Sequence, residues 1–188
     1  MRIISGNYKG KKILEPKDRS TRPLKDLAKE SIFNIIKHSN KLNITLENSE
    51  VLDLFSGIGS FGLECLSRGS SSLTFVENYK EVLPILKKNI SNLNYQDKSL
   101  IIEKDILNNF NYKILNKKFD IIFIDPPFKE KKLNLILSNI LDENILNDDG
   151  IIIIHRHKKE DDNFLDKFKI IEKKIYGISK IIFGTLSK

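Results

Sequence analysis

From Val51 onward, short apolar runs alternate with longer amphipathic segments, and this alternation narrows the possible folds more than any other feature of the chain. The runs cover residues 51–55, 73–76, 100–102, 121–124 and 151–154, then 170–175 and 180–185 with no room for a helix between the last two. Strands separated by helices cannot pair as hairpins, so the pattern predicts an α/β domain: a mainly parallel sheet, helices on both faces, and a C-terminal antiparallel hairpin. The unbroken apolarity of 121–124 and 151–154 suits strands buried on both sides. Pro84 interrupts the helix otherwise expected over 79–93, which therefore starts near Val82 or is kinked.

Upstream, Leu24, Leu27, Ala28, Ile32, Ile35 and Ile36 recur at helical spacing, with Pro23 as a permitted early-helix residue. Residues 38–50 read as a connection. At 188 residues the chain suits one domain plus an extension, here an N-terminal arm and helix over 1–40 and a main domain over 41–188. Of the net charge of +7, six units fall in residues 1–25, where Arg2, Lys9, Lys11, Lys12, Lys17, Arg19, Arg22 and Lys25 face only Glu15 and Asp18. A cationic arm beside a near-neutral globule suits a phosphate backbone, the alternative being a solvated tail. No apolar run approaches the roughly 20 residues of a membrane span, and no apolar leader follows Arg2, so the expected location is cytoplasmic. Cys65 is the single cysteine, and neither it nor His38, His155 and His157 shows metal-ligand spacing, so no metal is expected. Cys65 reads as a buried small apolar residue, and His155 and His157, which follow a strand and could border the site, read with no partner cluster as polar residues at a strand end.

Residues 51–62, VLDLFSGIGSFG, form a strand, a glycine-rich turn and a helix start. Gly57, Gly59 and Gly62 fit a nucleotide-binding turn, and Glu77, 20 residues after Gly57, stands where an acid would take ribose hydroxyls. Asp53 discriminates between cofactors. It would repel the pyrophosphate of a dinucleotide but attract the ammonium and sulfonium of S-adenosylmethionine. The cofactor residues expected are Asp53, Phe55, Gly57, Gly59 and Glu77, joined by Asp105 at the next strand's carboxyl end for the adenine amine and Ile106 for its face.

The most specific segment is 119–128, FDIIFIDPPF. The two prolines hold Asp125 and Pro126 extended and contribute no N–H, which leaves a rigid ledge of acceptors. An exocyclic base amine has its lone pair delocalised into the ring. Aiming its hydrogens at the Asp125 carboxylate and the Pro126 carbonyl frees the lone pair for a donor methyl, with Phe128 as a stacking surface for an extruded base. Asp125, Pro126 and Phe128 are therefore the candidate catalytic residues, and Arg2, Lys9, Lys11, Lys12, Arg22 and Pro127 the candidate substrate contacts.

Four blocks together resemble the RsmD family of bacterial 16S ribosomal RNA guanine-N2 methyltransferases: residues 1–12, MRIISGNYKGKK; Arg22-Pro23 with Lys29-Glu30 and Phe33-Asn34; residues 53–62; and Asp125-Pro126-Pro127-Phe128. The resemblance implies a seven-stranded Rossmann-like methyltransferase fold, S-adenosylmethionine as donor, and a guanine of 16S rRNA in the small ribosomal subunit or its assembly intermediate as target. That family's arm and first helix are richer in arginine. Lysines here, Lys29 among them, keep the charge but lose the bidentate fork. Competing readings are an N6-adenine methyltransferase of RNA or DNA, a protein-glutamine methyltransferase, a non-catalytic RNA-binding module and a dinucleotide oxidoreductase.

Overall fold

In the computed structural model, which describes residues 1–16, 24, 26–108 and 110–187, one seven-stranded sheet carries the chain in the order β3-β2-β1-β4-β5-β7-β6. The strands are β1 (Glu50–Leu54), β2 (Ser72–Val76), β3 (Ser99–Ile102), β4 (Phe119–Ile124), β5 (Leu146–His157), β6 (Phe168–Tyr176) and β7 (Ser179–Leu186). The first five are parallel, while β7 runs antiparallel to both β5 and β6, which gives the expected closing hairpin. Its tight turn uses Gly177 at φ 60°.

The helices are α1 (Asp26–His38), α2 (Ser60–Ser67), α3 (Leu83–Asn92) and α4 (Leu133–Asp142). Helices α1, α2 and α3 cover one face of the sheet, where Phe33, Phe61 and Phe123 stack with ring centroids 5.4 and 4.0 Å apart; α4 covers the other. Helix α3 starts at Leu83, so Pro84 sits in its first turn and does not kink it. Leu24 precedes α1 rather than opening it. Strand β5 is longer than its apolar run, because its start pairs Leu146 with Phe119 ahead of a register break.

The basic arm lies folded back on the domain. Arg2 and Lys12 bridge in antiparallel fashion, and Ile3 and Ile13 are buried in the same core as α1 and α2. Burying two such side chains is worth roughly 1.5–3 kcal/mol each, which suffices to dock a short segment. The carboxylate of Glu64 on α2 accepts the amides of Ile4 (2.7 Å) and Ser5 (2.9 Å). Lys29, expected to keep a phosphate-binding charge, is fully buried instead. It donates to the Arg2 carbonyl at 2.7 Å and sits 3.7 Å from Glu64. Burial lowers its pKa, against the opposing pull of Glu64 and Asp26, so it ties arm to helix and cannot reach a nucleic acid.

Candidate active site

The sheet order reverses between β1 and β4, and a crevice opens there beyond the carboxyl ends of the strands, the usual ligand position in such sheets. Register sets what lines it. Leu54 is level with both Val76 and Ile124, and Ile124 with Ile154. The residues just past these, Phe55, Glu77, Asp125 and His155, therefore crowd around one cavity of about 430 Å³, within the roughly 300–1,000 Å³ of small-molecule sites. Of the candidates above, the cavity brings together Asp53, Phe55, Gly57, Glu77, Asp125, Pro126, Pro127 and Phe128.

The glycine turn forms one wall. Phe55, at φ 62°, reverses the chain after β1 in a conformation that side chains adopt at a cost, and Gly57 follows at φ 54°. A Cβ built on Gly57 meets no protein atom within 4 Å, so the backbone there is bare towards the cavity. Gly59 does not face a ligand in that way: a Cβ on it would meet Leu86 at 2.6 Å and Phe75 at 3.3 Å, so its role is close packing of the turn. Glu77 holds the turn shut by accepting the amides of Gly57 (2.7 Å), Asn78 (2.9 Å) and Tyr79 (2.8 Å). Asp53, 1% exposed, accepts the Gly62 amide at 3.1 Å. Burial drives its carboxyl pKa well up, and the nearby charges of Asp125 and Glu77 push the same way. Three carboxyl groups around one cavity repel an anion and favour a cation.

The opposite wall is the acid-proline-proline-aromatic segment, held from behind by β5. His155 Nδ1 lies 2.8 Å from Asp125 Oδ1, and its Nε2 lies 2.9 Å from Ser179 Oγ on β7. The Phe128 ring meets the His155 and His157 rings edge-on at 5.5 and 5.2 Å. Arg156, 2% exposed, donates to the carbonyls of Pro127 (3.3 Å) and Glu130 (2.8 Å) and to Asp162 (2.9 Å). Lys180 pairs with the same Asp162 at 3.0 Å. The ledge is thus clamped to the connection after β5 by buried Arg156 and the Asp162 carboxylate that it shares with Lys180.

Several expected residues stand elsewhere. Asp105 is not part of the cavity lining and caps its own loop, accepting from Leu107 N at 2.8 Å and from the Asn108 side chain. Ile106 is buried in the core on the α4 face. The turn of the arm sits against Ser67, at the far end of α2 from cavity-lining Ser60, and Lys9 and Lys11 are exposed at that turn; Arg2 and Lys12 are exposed on the same arm. Arg22 lies outside the described residues. Cys65 is fully buried, with its thiol pKa raised by burial and then by Asp53 and Glu64, as fits a core residue. Reading the sequence left His155 as a strand-end residue and missed Arg156 and Ser179. The signal was available in register, since the residue after Ile154 must stand beside the residue after Ile124 once β4 and β5 pair in parallel.

A family model described as Conserved hypothetical protein 95 matches residues 1–185. The chain belongs to this family. A relative from Buchnera aphidicola subsp. Baizongia pistaciae, named Ribosomal RNA small subunit methyltransferase D, is 34% identical over 89% of this chain and 79% of its own length, so the RsmD resemblance of the motifs is borne out. Among solved structures, the Escherichia coli protein yhhF superposes with a TM-score of 0.81 over 99% of this chain and 97% of its own, at 24% identity. The methyltransferase SMU.776, solved with S-adenosylhomocysteine (SAH), gives a TM-score of 0.59 at 18% identity over 83% of this chain and 48% of its own. This family member therefore has the fold of S-adenosylmethionine-dependent methyltransferases, seven strands with an antiparallel C-terminal hairpin. No helix among its described residues is long and apolar enough to cross a membrane.

Proposed function

We propose that this chain transfers a methyl group from S-adenosylmethionine to the exocyclic N2 amine of a guanine in 16S rRNA, presented by the small ribosomal subunit or its assembly intermediate. The observation that carries the reading is the placement of the Asp125-Pro126-Pro127-Phe128 ledge across one cavity from the bare Gly57 backbone and the carboxyl groups of Glu77 and Asp53. Gly57 leaves room for close approach, and the Glu77 carboxylate, already oriented by three amides, keeps one lone-pair site on Oε2 for a ribose hydroxyl. Asp53 is costly to ionise where it lies, and a cationic ligand offsets that cost. When bound, S-adenosylmethionine supplies a methyl group made electrophilic by its sulfonium.

The chain's own part is orientation. Asp125 accepts one amine hydrogen and the Pro126 carbonyl the other, which turns the nitrogen lone pair towards the donor side of the cavity. Phe128, fixed edge-on by His155 and His157, presents its face to a base drawn out of its stack. The name carried by the Buchnera relative supports ribosomal RNA as the polymer. The test is transfer of radiolabelled methyl to small-subunit particles lacking the modification, followed by digestion to nucleosides. Label in N2-methylguanosine is expected; label in N6-methyladenosine or in protein would overturn the substrate.

A further inference from the structure

Ser179, His155 and Asp125 form a line of three side chains that the chemistry of the ledge alone does not require. Asp125 is part exposed to the cavity, with 20% of its side chain accessible, whereas the His155 side chain behind it is 6% exposed and both of its ring nitrogens are partnered. An ionised carboxylate only accepts, so Nδ1 carries the proton and donates to Asp125 Oδ1. In the neutral imidazole Nε2 is then an acceptor, which the Ser179 hydroxyl can serve as donor. The same imidazole supports Phe128 edge-on. One buried ring thus touches both functional side chains of the ledge, from a strand 30 residues further along the chain.

We infer that His155 is the positioning residue of the reaction. Its Nδ1–H fixes the rotamer of Asp125 so that Oδ2 faces the amine, and its ring sets the tilt of Phe128. The inference rests on the proposed amine methylation for its kinetic consequence but not for its structural one. A displacement of about 1 Å at a reacting group costs on the order of 100-fold in rate, so removing this support should lower kcat without touching donor affinity.

Two substitutions separate the role from simple space-filling. In His155→Asn the amide nitrogen falls where Nδ1 was, so the hydrogen bond to Asp125 is kept while Ser179 has no acceptor on this side chain. His155→Gln does the reverse. Expected is a fall in kcat of roughly 30–100-fold for His155→Gln and under about fivefold for His155→Asn, with S-adenosylmethionine Kd within about twofold of wild type in both. Equal losses in the two variants, or the opposite order, would overturn the inference. Independently of any acceptor substrate, nitrogen-15 spectra of the three histidines should show one Nδ1–H tautomer that shifts on Asp125→Asn. An Nε2–H tautomer indifferent to that substitution would refute the geometry. A wild-type protein with the expected tautomer but no label in guanine would instead refute the substrate assignment and leave the His155–Asp125 coupling standing.

Discussion

The two walls of the cavity are built on different principles. On the β1–β2 side, the carboxylates are satisfied by backbone amides of the adjacent turns: Glu77 by Gly57, Asn78 and Tyr79, and Asp53 by Gly62. On the β4–β5 side, Asp125 and the Pro127 carbonyl are held by side chains from a strand about 30 residues away, His155 and Arg156. The first wall is held by backbone amides, within one strand-turn-helix segment for Asp53 and across the neighbouring β1–β2 pair for Glu77. The second exists only once β4 and β5 have paired in register, so its precision depends on long-range packing.

The difference gives separable failures. The largest effect is expected on the donor side. Glu77→Ala strips three amides of their acceptor at once, which loosens the turn, and removes the charged acceptor offered to the ribose; S-adenosylmethionine binding should weaken by about 100-fold in calorimetric titration, a hydrogen bond to a charged group being worth roughly 1.5–3 kcal/mol. Gly57→Val, which fills the bare side of the turn and forces a β-branched residue to φ 54°, should cost about tenfold or more in the same titration while leaving the fold intact. A variant that bound donor normally would show that the turn does not face the ligand.

On the acceptor side, Arg156→Met removes a buried cation that holds two carbonyls and Asp162. Breaking a buried pair is strongly destabilising, and because Lys180 stays with Asp162 the loss should be about 2–4 kcal/mol in denaturant unfolding. It should lower kcat more than it changes donor Kd; a fall in donor affinity alone would place Arg156 on the wrong wall.

Asp53 links the two walls electrostatically, since its pKa is raised first by burial and then by Asp125 and Glu77. A carboxyl whose folded pKa exceeds its unfolded value binds more protons when folded, so stability is lost as pH rises from the unfolded pKa near 4 through the raised folded one. Asp53→Asn should therefore flatten that decline and raise the apo melting temperature at neutral pH, while weakening donor binding. An unchanged pH profile would mean that Asp53 is not the group responsible.

How much of this the sequence made legible follows the same division. The succession of strands along the chain, the closing hairpin and the glycine turn could be read because each is written in contiguous residues, as was the ledge at 125–128; the order of the strands in the sheet could not. Glu77 was found by its spacing of 20 from Gly57. Asp105 shows why spacing alone does not place a side chain: an acid after a strand that accepts from its own loop looks the same in sequence as one facing a ligand. Lys29 misled for a related reason: its charge is visible in sequence, but its burial against Glu64 is a tertiary fact. His155 and Arg156 lie next to each other and looked like an ordinary polar strand end until β5 was set beside β4.

The smallest effect concerns the arm. Replacing Lys9, Lys11 and Lys12 together should reduce the salt slope of RNA binding by up to about 2–3. The arm's turn lies at the far end of α2, so kcat with bound RNA should hardly change.

The most direct test of two separable walls is donor binding and single-turnover transfer measured side by side on Asp125→Ala. Expected are an S-adenosylmethionine Kd within a few-fold of wild type and a transfer rate lower by at least about 10²–10³-fold, the range for losing one preorganised group at a reacting centre. Loss of donor binding in this variant would contradict the separation of the walls and assign Asp125 to the cofactor.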